Sequence, residues 1–214
     1  MIVEPLELIV TTGYPGESLG LANEPIAAAE ARLGFALPEP LKDFYSVAGG
    51  SRDLLNADYR FLPPEKLRVD DDHLIFCGEN QGLEGFGIPL ESLKAGRPNP
   101  GVDVRPLQGS RWTSEASALT AFLLGMTAWQ VALALPEKAR CPYLEADLKK
   151  LLPYFEPVGA PKVRLGGDRT ALVNRDRTIV AAYVHITEML YLGSPREDVL
   201  EELEQKLGLD FDSL

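Results

Sequence analysis

The chain has 214 residues, 45% of them hydrophobic and 25% charged, with a formal net charge of −11. That apolar content supports a packed core and excludes global disorder, and the length suits one large domain or a domain with an extension. The charge is uneven, −8 as far as Leu107 and −3 beyond it; such a surface disfavours direct contact with nucleic-acid phosphates, and either attracts a basic partner or simply keeps the chain soluble.

Leu6 to Thr12 reads as a strand, followed by a loop through Gly13, Pro15 and Gly16. A helix then starts at an Asn23 N-cap with Pro25 in its first turn, carries Ile26, Ala29, Glu30 and Leu33 at helical spacing, and stops at Gly34. A second helix opens near Pro40. Its Leu41, Phe44, Tyr45 and Ala48 share one apolar face, and Gly49-Gly50 ends it. The short connector predicts that the two helices pack as neighbours. Tyr59 to Leu62 reads as a strand stopped by Pro63-Pro64, and Glu65 to Val69 as one helical turn.

Two apolar runs, His73–Cys77 and Leu83–Ile88, flank the polar turn Glu79-Asn80-Gln81-Gly82, whose residue types suit a chain reversal. Pro89 opens a short helix through Leu93 and Lys94. Val102 to Leu107 alternates with period two, as a half-buried strand does, and Thr113-Ser114-Glu115 after Trp112 reads as a helix start. Ala118 to Leu135 runs eighteen residues without a charge. Gly125, Thr127 and Gln130 interrupt it and Glu115 and Glu137 flank it, so it reads as a buried central helix rather than a membrane span.

Tyr143 to Leu152 has the pattern of an amphipathic helix, and Pro153, Pro157, Gly159 and Pro161 mark a linker. Strands follow at 162–165, 170–173 and 179–184, the last two joined by Asn174-Arg175-Asp176-Arg177, with a weaker strand across His185 to Leu192. Ser194-Pro195-Arg196-Glu197 is a capping box for a last helix whose Val199, Leu200, Leu203 and Leu207 form a buried stripe closed by Gly208. The expected organisation is a single α+β domain over 1–214. The N-terminus lacks a basic leader, and Cys77 and Cys141, the two cysteines, do not make a disulfide framework; both features fit a reducing, cytoplasmic setting.

The ordered set Ile26…Leu33-Gly34-Phe35…Leu37-Pro38-Glu39-Pro40-Leu41…Phe44-Tyr45…Gly49-Gly50, then Tyr59…Phe61-Leu62-Pro63-Pro64-Glu65-Lys66-Leu67, then Ile75 to Gly82, then Trp112 before a long helix, resembles the SUKH superfamily. That group includes the yeast regulator of cell-wall glucan synthesis and many bacterial immunity proteins. The resemblance covers residues 24–133, with a C-terminal α+β extension at 142–214. Phe86 stands where relatives often carry Trp. The resemblance implies an α+β fold with a curved, mainly antiparallel sheet and packed helices. It also implies a non-enzymatic, protein-binding role, above all neutralisation of a basic, nuclease-type toxin domain by direct binding. The alternative is a regulatory or scaffold protein with another protein partner.

For partner contact the sequence offers Asp70, Asp71, Asp72, Glu79, Asn80, Gln81, Glu84 and Trp112. Each also has a plain structural reading. The turn residues satisfy nearby backbone groups, the aspartates form a solvated loop, and Trp112 and Trp129 anchor the core. The aspartate run lacks the spacing and glycine of a calcium loop. His73 and His185 have no companion ligand at zinc spacing, Cys77 reads as inert core, and no phosphate-loop motif follows the glycines. No catalytic residue, metal or cofactor is therefore assigned. Lys162, Arg164, Arg169, Arg175 and Arg177 against Asp168 and Asp176 make one locally basic stretch, either an acidic-partner contact or ordinary strand charge.

Overall fold

The computed structural model describes residues 2–106, 111–158, 169–196 and 198–214. In chain order the elements are α1 (Val3–Gly13), α2 (Asn23–Leu33), α3 (Glu39–Ala48), α4 (Arg52–Leu55), β1 (Tyr59–Phe61), β2 (Arg68–Asp70), β3 (His73–Glu79) and β4 (Glu84–Pro89). Then come α5 (Leu90–Lys94), β5 (Val102–Pro106), β6 (Thr113–Ala116), α6 (Leu119–Ala134), β7 (Glu137–Pro142) and β8 (Phe155–Pro157). The chain closes with β9 (Arg169–Asn174), β10 (Val180–Val184), β11 (Met189–Ser194), α7 (Val199–Leu207) and β12 (Asp212–Ser213).

The chain divides into two compact units, one built mainly on Ser18–Leu123 and the other on Glu4–Glu17 with 124–158 and 169–214; the division falls inside α6. The first unit holds an antiparallel sheet in the order β1-β3-β4-β5-β6, with β2 also on β3. Helices α2 and α3 pack as neighbours, as the connector predicts. Gly34 takes the left-handed φ of 79° that ends α2, whereas the first turn is entered from Ala22 rather than capped by Asn23. An aromatic cluster runs through the core of this unit. Phe44 meets Phe61 with centroids 4.6 Å apart, Phe76 meets Phe122 at 5.5 Å, and Phe86 meets Phe122 at 5.1 Å.

The second unit holds an antiparallel sheet in the order β12-β7-β11-β10-β9-β8. Tyr183, Leu190, Leu192, Ala181 and Ile179 are buried there with Leu200 and Leu203 of α7. The Asn174 turn is locked by its own side chain. Asn174 Oδ1 accepts from the amides of Thr178 and Ile179 at 2.8 and 2.7 Å, and Nδ2 donates to Thr178 Oγ1 at 2.9 Å.

Neither sheet is strongly curled, which corrects the curved sheet implied by the resemblance; the α+β class holds, with two antiparallel sheets. The physical reason is pairing. Beyond α6 the strands pair with one another, β7 with β11 and β12, instead of extending the first ladder. The first ladder stays open and bends only at single register shifts, between Ile75 and Cys77 and between Val102 and Asp103, whereas strong curling needs closure or repeated bulges.

Other expectations give way to tertiary context. Residues 6–12 are helical, because Leu6, Ile9, Val10 and Gly13 form a buried i, i+3, i+4, i+7 stripe in α1. Thr113–Ala116 is a strand because Val104 and Asp103 of β5 pair with Thr113 and Ser114. α6 instead begins at Leu119, where Asn99 Oδ1 accepts from the Thr120 amide at 3.0 Å, a cap supplied from outside the helix. Residues 65–69 split into a 3-10 turn, Pro64–Lys66, and strand β2, and residues 143–152 contain a 3-10 helix, Glu145–Lys150, rather than an amphipathic α-helix. Strands β7 and β12 have no counterpart in the sequence reading, and β8 lies within the expected linker, where it pairs with β9. The expected strand at 162–165, the linker residues Gly159 and Pro161, Leu107, and Glu197 lie outside the described residues; the capping box itself does not form, because Ser194 ends β11 and α7 is entered from Asp198. Among the described residues no helix is long and apolar enough to cross a membrane.

Candidate functional site

The expected aspartate loop is a tight hairpin. Asp70 pairs with His73, and between them Asp71 and Asp72 have φ of 46° and 56°. Two consecutive left-handed residues make a two-residue hairpin turn of the kind that matches the strand twist, and Asp is among the few non-glycine residues that tolerate it. Backbone geometry thus places three carboxylates at the tip, with the Asp70 and Asp71 side chains 48% and 58% exposed.

Behind that tip lies a polar cluster on one face of the first sheet. Arg105 of β5 donates from Nη2 to Asp70 Oδ2 at 2.6 Å and from Nη1 to Asp71 Oδ2 at 3.3 Å. The same guanidinium lies over the Trp112 indole, 4.7 Å from its centroid. His73 stacks on Trp112 with centroids 4.0 Å apart and planes 16° apart. The imidazole Nε2 is 3.0 Å from Asp103 Oδ2, and Nδ1 is 2.9 Å from the Asp71 carbonyl oxygen, so the ring links the turn to β5.

Alternation along the strands explains the grouping. Asp103 and Arg105 are two apart on β5 and project to one side, while Val102 projects to the other and is buried. On β4 the positions opposite Asp103 and Arg105 are Gly87 and Gly85. A Cβ on Gly87 would lie 2.8 Å from His73 Cβ, 3.1 Å from Trp112 Cη2 and 3.2 Å from Ile75 Cδ1. Glycine here forms the floor on which the indole and imidazole rest. Trp112 Nε1 is buried and has no hydrogen-bond partner among the described residues.

Asp70, Asp71 and Trp112 are therefore brought together, with Asp72 at the same tip. Glu79, Asn80 and Gln81 are at the opposite end of β3, roughly 20 Å away for six strand residues. There Glu79 Oε2 accepts from the amides of Gln81 and Leu83 at 2.9 and 3.1 Å, and Gly82 completes the turn at φ 76°. The Glu79 side chain serves the bend itself; Asn80 and Gln81 are exposed. Glu84 alternates onto the face of Phe86, away from the cluster.

The sequence reading did not single out Asp103 and Arg105 and weighed His73 only as a metal ligand. The available signal was the period-two pattern of Val102 to Arg105 set against the glycines at 85 and 87. Chemically the cluster can present fixed anions beside a half-buried aromatic ring. Among the described residues no group of three or more His, Cys, Asp or Glu is arranged to hold a metal ion.

In the second unit His185 Nε2 is 2.7 Å from Thr170 Oγ1, and Nδ1 lies 3.5 Å from Glu145 Oε1. The buried His185 thus ties β9 and the end of β10 to the 3-10 helix. The locally basic stretch is engaged: Arg175 donates to the carbonyls of Pro153 and Leu152 at 3.0 Å each, Arg177 pairs with Glu156, and Arg169 lies over Trp129 at 4.9 Å. Lys162, Arg164 and Asp168 lie outside the described residues. Compared with known proteins, the chain matches no family model, no curated protein and no solved structure.

Proposed function

We propose that the chain is a non-enzymatic protein-binding module, of the immunity kind that the SUKH resemblance implies, which neutralises a basic toxin domain by occluding it. The observation that carries the reading is the hairpin tip. Asp70 and Asp71 are exposed yet held in place by Arg105, so little side-chain entropy remains to be lost on binding. Fixed carboxylates on a chain of net charge −11 speed the encounter with a basic face. Trp112 beside them supplies the type of residue that dominates interface energy.

The test is co-expression with the toxin domain encoded by the neighbouring gene, scored by growth and by the association rate of the purified pair. The wild type rescues growth, and its association slows as salt rises. Asp70→Asn with Asp71→Asn lowers the association rate about tenfold at low salt. Trp112→Ala raises the dissociation rate instead. Failure of the wild type to bind, or an association rate indifferent to both salt and the double variant, refutes the proposal.

A further inference from the structure

Two motifs that the sequence singles out, Gly49-Gly50 and Phe61 to Lys66, do not join the hairpin cluster. They line a cavity of about 640 Å³ in the first unit, together with Arg52, Leu55, Asn56 and Arg60. Among the described residues its charged lining consists of Arg52, Arg60 and Lys66, all cations, with no carboxylate. None of the three side chains has a hydrogen bond or an ion pair among the described residues. In a chain with 32 acidic and 21 basic residues, three unpaired cations around one hollow run against the general field.

The walls are held rigidly. Tyr45 is fully buried and its hydroxyl donates to the Leu62 carbonyl at 2.6 Å. Arg32 Nη2 donates to the carbonyls of Pro64 and Leu67 at 3.0 and 2.8 Å, which pins the 3-10 turn that carries Lys66. Elsewhere in the lining the Gly49 amide donates to the Tyr45 carbonyl at 3.0 Å and the Gly50 amide to the Leu19 carbonyl at 2.7 Å. A Cβ on Gly49 would lie 2.6 Å from Tyr45 O, and one on Gly50 would lie 2.8 Å from Gly20 O. Only glycine lets the chain pass this closely at those positions. An open hollow of small-molecule size, lined by Leu55, Leu62 and Pro63 and by the exposed residues Arg52, Arg60 and Lys66, has the composition of an anion-binding site.

We infer that this cavity binds a small polyanion, with Arg52, Arg60 and Lys66 as its ligands. Phosphate and carboxylate groups share the recognised chemistry, and a guanidinium donates to the oxygens of either in bidentate fashion. The site is separate from the partner-binding proposal and stands or falls without it.

The test titrates the intact chain with pyrophosphate and with citrate in low-salt chloride buffer, followed by calorimetry and by amide resonances. The expected result is saturable binding of at least one of the two below about 10 mM. The amides of Gly49, Gly50, Arg60 and Lys66 should move most. A preference for pyrophosphate or citrate tells phosphate from carboxylate recognition. Arg60→Gln and Lys66→Gln each weaken binding about three- to tenfold, and Lys66→Arg preserves it. No saturable binding of either anion to the wild type overturns the inference. So does unchanged affinity in Arg60→Gln, an exposed strand position whose replacement leaves the core intact.

Discussion

Replacing Gly87 with alanine tests whether the polar cluster rests on a glycine floor. The new methyl would approach His73 Cβ to 2.8 Å and Trp112 Cη2 to 3.1 Å, against an ordinary carbon contact of about 3.5–4.0 Å. His73 Cβ is tied to the backbone of β3 and cannot rotate away, so the strands must spread or the indole must lift. Overpacking of this kind costs about 1–3 kcal/mol. Alanine recovers about 0.5–1 kcal/mol of backbone entropy relative to glycine in a strand. The net expectation is a loss of about 1–2 kcal/mol. Gly85→Ala is the matched control. It lies two residues away on the same face of β4, and a Cβ there has nothing within 4 Å. It should therefore be neutral or stabilise by about 0.5 kcal/mol. The two variants should differ by about 2 kcal/mol, or about 4–8 °C in melting temperature for a chain of this length. Urea unfolding measures the difference directly. The chain has two tryptophans, so the indole N–H resonances isolate Trp112, which should shift in Gly87→Ala far more than in Gly85→Ala. Equal stabilities, or an unmoved Trp112 resonance in Gly87→Ala, would refute the packing argument.

Asn174→Ala removes the acceptor for two backbone amides in the β9–β10 turn and should cost about 2–3 kcal/mol in urea unfolding, because the Ile179 amide is left buried without a partner. Stability should also fall in alkali: burial raises the Cys141 thiol from 9.0 to about 11 and the Tyr183 phenol from 10.0 to about 12. The folded chain keeps these protons to higher pH than the unfolded chain, so the loss begins near pH 9 and grows towards pH 12; a melting temperature that stays constant from pH 8 to 11 would contradict this.

Local patterns made much of this molecule legible. Gly34 and Gly208 end their helices in the left-handed conformation expected of them, Gly82 turns the β3–β4 hairpin, and the uncharged run before Pro136 is a helix with buried sides. Each of these is decided by neighbours a few residues away, through spacing or a single backbone torsion. What the pattern could not supply was distance-spanning choice. Thr113–Glu115 has the residue types of a helix start, yet strand β5 captures it, and Asn99 caps the helix in its place. The pairing of β7 with β11 closes a loop of about fifty residues, which no local propensity encodes.

The candidate site divides in the same way. The three aspartates were visible in the sequence as a solvated loop; that Asp71 and Asp72 form a two-residue hairpin turn at positive φ came only with the pairing of β2 on β3. That Asp71, His73, Asp103, Arg105 and Trp112 share one surface, while Glu79 and Glu84 lie elsewhere, was settled only by strand register, since a shift of one residue sends each side chain to the opposite face. Chain-local chemistry determined which residues bend, stop or bury. Long-range pairing determined which of them meet, because it is set by the summed burial of whole strands rather than by any short segment.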